Sequence, residues 1–315
     1  MEKQGVVSLG EALIDFIPTD KTNTIYHKSP GGAPANVAVG LAKLGGKSTF
    51  LGKVGDDVLG KFLKRTLSEY GVRTAQMQFS KDIRTGIVFV TNAADGERSF
   101  DFYIDPSADR FLEIQEMDEE DFTRHRILHF GSISLISNPS ADTTRHAVQL
   151  AKEHNMLVSY DPNLRLALWN SEEEARETIN SMIGKADVLK ISEEELEFLT
   201  GETDVEEGVH KLGNEEVSLT IVTLGAEGCY VFTKDGSKHV PAMKVKAVDT
   251  TGAGDAFVSG LLYQLNNYDG KLDELSLEEA VKMAEFASVS GALAATTKGA
   301  MTSLPTLSET EKYLR

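Results

Sequence analysis

The feature that most constrains the fold is an alternation of short apolar runs with amphipathic stretches along the chain. The stretch 56–70 keeps helical spacing of its apolar residues, and S-x-x-E capping boxes at Ser171 and Ser276 mark two further helix starts. Strands that alternate with helices form a mostly parallel sheet covered on both faces, which predicts a three-layer α/β/α fold. The predicted strands are 5–10, 48–52, 127–131, 156–161, 187–192 and 218–225.

Two regions depart from this alternation. Residues 84–104 predict two strands around a polar turn at Asp95-Gly96, and residues 12–30 are also extended in character. Together they predict a small β-sheet lid, built from about 12–30 and 84–110, on one domain that spans 1–315. The ribbon of the lid could pair with a second copy and form a homodimer.

Composition narrows the class of protein. The net charge of −17 argues against a nucleic-acid partner, because phosphate backbones attract basic surfaces. No apolar run approaches the roughly 18 residues of a membrane span, and the N-terminus has the pattern of a first strand, not a signal peptide. The single cysteine, Cys229, is interpreted as a small core residue and fits a reducing, cytoplasmic compartment.

Two glycine-rich stretches carry the chemistry. In GGAPANVAVGLAKLG (31–45), Gly31 and Gly32 precede a helix, and in DTTGAGDAFVSG (249–260) three small residues precede Asp255. The amides at a helix N-terminus are unpaired and positively polarised, so the second stretch is a candidate anion cradle. An aspartate beside such a cradle suits phosphoryl transfer to a hydroxyl.

Structural interpretations of both stretches stay open at this point. The first stretch also fits a turn followed by a small-residue helix packed on the sheet, and aspartate is favoured in any first helical turn. The sequence has neither a G-x-x-x-x-G-K-[ST] loop nor a G-x-G-x-x-G after the first strand, so these common nucleotide motifs are excluded.

The two stretches together resemble the two signatures of the ribokinase-like, or PfkB, family of sugar kinases. The resemblance runs along the whole chain, and the chain is similar to the fructokinase branch of the family in particular. It includes, in this order, GEALIDFIP, GGAPAN, KVGDDVLGKFL, DGERSFDFY, GSISLI, YDPNLRLALW and KISEEELEFLTG. It implies the ribokinase-like fold and ATP-dependent phosphorylation of fructose at its 6-hydroxyl.

The resemblance also implies residue roles. Asp255 matches the catalytic base, and Gly252, Ala253 and Gly254 match the anion hole. Residues that match the sugar site are Asp15, Gly31, Gly32 and Asn36, with Tyr103 reaching the sugar from the lid and Arg165 standing near both the sugar and the transferred phosphate. Residues that match the ATP side are Lys190, Ser192, Glu195, Thr223, Gly225, Gly228, Gly252 and Gly254.

The same resemblance also implies that the protein binds metal ions. Glu195 belongs to the network that positions Mg²⁺ through water, and many members also bind a monovalent cation such as K⁺. The matching cation positions are Asp249, Thr251, Ala294, Thr297, Gly299 and Ser303. The N-x-x-E pattern of the family is here Ser192-Glu193-Glu194-Glu195, which weakens the Mg²⁺ assignment and is equally a capping box.

Alternative functions remain at this stage. A kinase of 2-keto-3-deoxygluconate, of another hexose or of a nucleoside would share these motifs, as would a sugar-binding sensor without catalysis. Ile104 and Asp105 follow Tyr103 where related keto-acid kinases carry an arginine, which disfavours a substrate with a carboxylate. His125 and His129 have no accompanying ligand set for a metal. The acidic runs 113–121 and 193–197 are interpreted as solvated helix faces.

Overall fold

The structure is a computed structural model that describes residues 3–92, 98–213 and 216–314. The predicted turn at Asp95-Gly96 lies outside the described residues. The strands are β1 (Val6–Leu9), β2 (Leu13–Pro18), β3 (Tyr26–Gly31), β4 (Ser48–Gly55), β5 (Met77–Ser80), β6 (Ile87–Asn92), β7 (Arg98–Phe102), β8 (Ile127–Phe130), β9 (Leu157–Tyr160), β10 (Val188–Ser192), β11 (Leu219–Thr223), β12 (Cys229–Thr233) and β13 (Gly236–Val240).

Helices connect most of these strands. The α-helices are α1 (Ala33–Lys43), α2 (Val58–Glu69), α3 (Glu120–Arg124), α4 (Ser140–Glu153), α5 (Glu172–Ile183), α6 (Glu193–Thr200), α7 (Val205–Lys211), α8 (Ala253–Asn266), α9 (Leu277–Ala294) and α10 (Leu307–Glu311). Short 3-10 turns lie at Ala108–Phe111, Ile114–Glu116, Ile133–Leu135, Leu166–Leu168, Gly225–Glu227 and Leu272–Glu274.

The main sheet has nine strands in the order β13-β12-β11-β10-β9-β8-β1-β4-β5. Its strands from β11 to β5 are parallel, whereas β12 near one edge is antiparallel to both of its neighbours, β11 and β13. The six strands predicted from the sequence are all in this sheet, which confirms the mostly parallel α/β class. The strands β5, β12 and β13 extend the sheet at its two edges.

Both faces of the main sheet are buried. Val7 and Leu9 of β1 join a core that includes side chains of α4, α5 and α6, whereas Val6 joins a separate core with α1, α8 and α9. Successive residues of a strand point to opposite faces, so a continuous apolar run fills both cores. The result is the predicted arrangement of three layers.

A second, four-stranded sheet has the order β3-β2-β6-β7. The strands β2 and β6 are parallel, and the two outer pairs are antiparallel. Both regions predicted as extended therefore form one small sheet. Phe16 and Phe89 stack across β2 and β6 with ring centroids 5.0 Å apart.

Several local predictions can be compared with the structure. Ser276 and Glu279 form a full capping box, whereas Ser171 caps α5 through the amide of Glu174 only. Cys229 is buried in the core, as predicted. The interpretation of 113–121 as solvated is wrong at Asp121, which is buried and bonded by Arg73 and Gln76.

The two histidines serve the packing of the main sheet. His125 hydrogen-bonds the Thr49 hydroxyl at 2.9 Å, and His129 hydrogen-bonds the Ser159 hydroxyl at 3.1 Å. Among the described residues, histidine, cysteine and carboxylate side chains form no cluster that could hold a metal. Across the same part of the chain, no helix combines the length and apolar character needed to cross a membrane.

Candidate active site

The candidate site lies where the carboxyl ends of the parallel strands meet, beside β1. The chain passes from β1 to β4 on one side of the sheet, whereas β8 pairs with β1 on the other side. Crevices outside the strand ends at such a change of direction are the usual ligand sites of α/β sheets. Here a small enclosed space is lined by Glu11 after β1, Asp161 after β9 and Asp255 of α8.

Asp255 lies in the first turn of α8, which begins at Ala253. Gly252 precedes that helix with a φ of 79°, a left-handed conformation that favours glycine. Asn36 Nδ2 of α1 donates a hydrogen bond of 2.7 Å to Asp255 Oδ2. Burial raises the pKa of Asp255 to about 6, against the lowering effects of Asn36, Arg165 and Lys190. This carboxylate is therefore oriented and has the proton affinity of a general base near neutral pH.

The backbone amides before Asp255 differ in their availability. Ala253 N–H donates to the Thr250 carbonyl at 3.1 Å and closes the turn. In the described parts of the chain no acceptor reaches the N–H groups of Gly252 and Gly254. The structure thus differs from the prediction at Ala253 and leaves the other two amides for an anion.

Asp15 and the glycine pair 31–32 form one compact unit. A Cβ on Gly31 would collide with the Asp15 carboxylate, and a Cβ on Gly32, where φ is 100°, would collide with the backbone of Glu11. Burial raises the pKa of Asp15 to about 7; Arg165 opposes this shift and the charge of Asp255 adds to it. Packing against these neighbours thus requires glycine at both positions, since the carboxylate of Asp15 lies directly against Gly31.

Asn36 has one free oxygen in this site. Its Nδ2 is engaged by Asp255, but within the described residues no donor reaches the buried Oδ1. Buried amide oxygens normally have a partner, so this acceptor is suited to a hydroxyl of a ligand. Asn36 thus links the candidate base to the sugar side that the sequence predicted.

Arg165 and Tyr103 are more exposed to solvent than Asp255, Asp15 and Asn36. Arg165 is exposed and its Nη1 donates to the Leu164 carbonyl at 3.0 Å, yet its charge acts on Asp15, Asp255 and Glu11. Tyr103 is 67% exposed, and its ring packs edge-on against Phe89. Phe89 projects from the face of the small sheet opposite to Asp15, because alternate residues of a strand point to opposite faces. The structure brings Arg165 near the carboxylates and leaves Tyr103 on the Phe89 side.

Lys190 is paired with Asp161 beneath the glycine turn. Its Nζ lies 3.3 Å from Asp161 Oδ2, and both side chains are largely buried. Burial disfavours the ammonium, but Asp161, Glu195 and Asp255 outweigh it and raise the pKa of Lys190. The Nζ also lies 3.8 Å from the position that a Cβ on Gly254 would take. A fixed positive charge therefore stands beside the free amide of Gly254.

Glu195 and Ser192 form the capping box that the sequence allowed. Ser192 Oγ accepts the Glu195 amide at 3.2 Å, and Glu195 Oε2 accepts the Ser192 amide at 2.9 Å. Glu195 Oε1 also accepts the amide of Leu164 at 2.7 Å, which ties the segment that carries Arg165 to the start of α6. Each oxygen keeps a second lone pair, so the carboxylate still fits an ion held through water.

A large cleft of about 620 Å³ opens on the other side of the glycine turn. This volume is in the range of small-molecule sites, and most of the lining side chains are small or apolar. Gly228, with a φ of 109°, is required there because a Cβ would collide with the Val240 carbonyl. The lining includes Thr223, Gly225, Gly228, Met243, Val245, Ala253, Gly254, Phe257 and Ala292. The structure therefore brings three predicted ATP residues to the Gly254 turn.

The predicted cation residues lie on two segments that meet behind this turn. Asp249 is buried, and its Oδ1 and Oδ2 accept the amides of Thr251 and Gly299 at 3.1 and 3.2 Å. Ala294 ends α9, and its carbonyl accepts the Thr297 amide. The hydroxyl of Ser303 donates to the Ala300 carbonyl at 2.9 Å. Asp249, Thr251 and Gly299 are thus in direct contact, whereas the side chain of Thr297 is exposed.

Three residues of the site were not predicted as functional. Asp161 Oδ1 accepts the Asn163 amide at 3.2 Å, as in a turn, and its carboxylate also holds Lys190. Glu11 and His129 line the same enclosed space as Asp255. Burial and the charge of Lys190 lower the pKa of His129 to about 3, so this ring is neutral. Their positions directly after or within predicted parallel strands were the available signal.

Comparisons with a family model and with known proteins both identify relatives that are sugar kinases. The family model described as pfkB family carbohydrate kinase matches residues 3–307. The chain is similar to fructokinase-1 of Oryza sativa subsp. japonica, with 48% identity over 98% of this chain and 97% of that protein.

Two solved structures have the same fold. One is a fructokinase double mutant from Vibrio cholerae O395 in a form with fructose, ADP and potassium ion bound, with a TM-score of 0.90, 38% identity and full coverage of both chains. The other is a fructokinase with bound ATP from Xylella fastidiosa, with a TM-score of 0.93, 34% identity and coverage of 99% and 98%.

Proposed function

The chain belongs to the pfkB family of carbohydrate kinases, and we propose that it transfers the γ-phosphoryl group of ATP to the 6-hydroxyl of D-fructose. The observation that carries this proposal is the position of Asp255. It lies at the N-terminus of α8, with Asn36 and Asp15 on one side and the large cleft on the other. A sugar and a nucleoside triphosphate bound on these two sides would meet at the carboxylate of Asp255.

In the proposed reaction Asp255 accepts the proton of the 6-hydroxyl as that oxygen attacks the γ-phosphorus. The bond between the γ-phosphorus and the bridging oxygen of ATP breaks, and ADP leaves. Asn36 fixes the orientation of Asp255 by its hydrogen bond of 2.7 Å. The free amides of Gly252 and Gly254, together with Lys190, stabilise the negative charge on the transferring phosphoryl oxygens.

The sugar side is assigned to residues near Asp15. We assign the sugar hydroxyls to Asp15, the backbone of Gly31 and Gly32, and the free Oδ1 of Asn36. Arg165 would approach the sugar and the transferred phosphate, which its effect on both carboxylates supports. The small sheet acts as the lid that excludes water, and Tyr103 would reach the sugar only after moving from Phe89.

The nucleotide side is assigned to the large cleft and the strand ends beside it. Thr223, Gly225 and Gly228 line the cleft, and Lys190 and Ser192 stand at the end of β10 next to it. Glu195 would hold Mg²⁺ through water, and the ion would supply neutralising charge on the phosphates. The set Asp249, Thr251, Ala294, Thr297, Gly299 and Ser303 would hold a monovalent cation, supported by the contact between its two segments.

The direct test is ADP release with ATP, Mg²⁺ and K⁺ and a panel of fructose, glucose, ribose, 2-keto-3-deoxygluconate and adenosine. Activity selective for fructose, with fructose 6-phosphate as the product by NMR, supports the proposal. Preference for another acceptor would keep the kinase and change its substrate. Sugar binding without ADP release from any acceptor would favour a sensor.

Activity should have an acid limb set by the two carboxylates of the site. Burial raises the pKa of Asp255 to about 6 and that of Asp15 to about 7. The charge of Asp255 acts on Asp15, and Arg165 acts on both, so the two carboxylates titrate as a coupled pair with macroscopic pKa values. Asp255 must be unprotonated to act as the base and Asp15 must be unprotonated to accept from the sugar hydroxyls, so kcat/KM for fructose should begin to fall as pH falls through 7 and should drop about a hundredfold per pH unit below 6. Initial rates from pH 5 to 8 check this, and a flat profile would contradict it.

We also propose a homodimer formed through the small sheet. Its outer strands β3 and β7 leave backbone edges, and Ile25, Phe100 and Tyr103 expose large apolar side chains there. Phe100→Asp should then convert a dimer into a monomer in sedimentation velocity at micromolar concentration. The control Lys298→Asp places the same new carboxylate in an exposed segment after α9, away from the small sheet, and should leave the dimer intact. A wild-type monomer would overturn this proposal.

The proposed compartment is the cytoplasm. The single cysteine is buried, and burial raises the pKa of its thiol to about 12, so it stays an inert thiol that needs no oxidising environment. Microscopy of the full chain with a fluorescent tag tests this assignment. A signal confined to an organelle would contradict it.

A further inference from the structure

Glu11 is the most deeply buried carboxylate around the site, and the proposed reaction gives it no role. It follows β1 and is 4% exposed. It lines the enclosed space that also contains His129, Asp161 and Asp255. A buried carboxylate is costly unless it is paired or protonated, so its presence here needs a physical reason.

Two contacts of Glu11 lie at the start of α1. Its Oε1 accepts the amide of Ala33, the first residue of that helix, at 3.0 Å. The N-cap residue Gly32 has no side chain that could do so, and the next residue, Pro34, has no N–H. The backbone carbonyl of Glu11 also lies where a Cβ of Gly32 would be. Glu11 thus caps α1 from the segment between β1 and β2.

The capped helix carries the residue that orients the base. Asn36 lies in the first turn of α1, three residues after Ala33, and donates to Asp255 Oδ2 at 2.7 Å. We infer that Glu11 is a positioning residue, which fixes the start of α1 so that Asn36 holds the Asp255 carboxylate in its reactive orientation. This inference rests on the proposed role of Asp255.

The electrostatic surroundings of Glu11 favour its uncharged form. Burial raises its pKa to about 8 and the charge of Asp109 adds to this, whereas hydrogen bonds from its own amide and from the Ala33 amide, and the charge of Arg165, oppose it. The other titratable groups that face it are Asp161 and Asp255, since His129 is neutral. Below pH 8 Glu11 therefore caps the helix without adding negative charge beside the phosphoryl group. Above pH 8 its ionisation adds that charge and should slow the transfer.

Two substitutions separate these functions. Glu11→Met keeps the length and removes the acceptor, so kcat/KM for fructose should fall on the order of 10- to 100-fold, because small misplacements of reacting groups cost that much. Glu11→Gln keeps an acceptor for Ala33 and should restore most of this loss at pH 7. The wild-type profile should also have an alkaline limb near pH 8 that the Gln variant lacks, which a merely structural role would not produce.

A double-mutant cycle with Asn36→Ala completes the test. If Glu11 acts through Asn36, the losses in Glu11→Met and Asn36→Ala should not multiply. A ¹³C NMR titration of Asp255 without substrates gives an answer independent of the proposed reaction: its pKa should rise in Glu11→Met, because the hydrogen bond of Asn36 lowers it. Multiplicative losses, an unchanged Asp255 titration or an alkaline limb that persists in Glu11→Gln would overturn the inference. If Glu11→Met does not fold, the pH profile and titration of Glu11→Gln decide it.

Discussion

Asp255→Asn is expected to lower kcat for fructose phosphorylation by about 10²–10⁴-fold, the usual contribution of a general base. The amide has the same shape and can still interact with Asn36 after rotation, but it cannot accept the hydroxyl proton. Affinities for sugar and nucleotide should change much less, because neither binding event requires that proton transfer. Steady-state rates and isothermal titration calorimetry with fructose and with ADP measure the two effects separately.

Asp142→Asn is the matched control. Asp142 is also the third residue of a helix, α4, but it is exposed and lies near Arg145 instead of a cleft. It tests the alternative that Asp255 serves only the dipole of its helix, an interaction that is typically worth less than about 1 kcal/mol at an exposed site. A similar modest change in both variants would remove Asp255 from the proposed mechanism.

Lys190→Met is expected to reduce both stability and turnover. Removing the ammonium leaves Asp161 buried without its partner, which should lower the free energy of unfolding by about 3–5 kcal/mol. The loss of a fixed positive charge beside Gly254 should lower kcat by about 10²–10³-fold, as the loss of a preorganised stabilising donor does. Urea unfolding and initial rates under saturating substrates measure these quantities.

Two further variants separate stability from catalysis at Lys190. Adding Asp161→Asn to Lys190→Met removes the unpaired charge and keeps an acceptor for the Asn163 amide, so stability should recover while turnover stays low. Lys53→Met breaks another largely buried pair, Lys53 with Glu116, which the proposed reaction does not use, and should cost stability with little loss of kcat. Recovery of turnover in the double variant would show that Lys190 only balances Asp161.

The positions of the strands and helices could be predicted because their signals are local. The apolar run 127–131 and the capping box at Ser276 depend only on neighbours in sequence, and both are found as expected. The pairing of β12 and β13 at the sheet edge was not predicted, because strand order depends on contacts between distant segments.

The candidate site was predicted in its chemistry and less well in its geometry. Asp255 and its glycine turn stand at a helix start, as the pattern in 249–260 indicated. The sequence left the role of Ser192 and Glu195 open between a capping box and a Mg²⁺ network, and the structure shows the box together with a bond to Leu164. The position of Tyr103 against Phe89 depends on which face of β6 turns toward the core, and the motif does not contain that information.

By itself, the sequence determined the class of fold, the order of its elements and the residue types that meet at the strand ends, because periodicity and helix caps are properties of short segments. Only the tertiary structure decided which groups are desolvated and paired. Asn36 and Asp255 are 219 residues apart and meet only when α1 and α8 pack on the same face of the sheet. The burial of Glu11, the pair of Lys190 with Asp161 and the contact of Asp15 with Gly31 arise in the same way. Burial sets the proton affinity of a carboxylate, and burial is a property of the packed layers and not of any one segment.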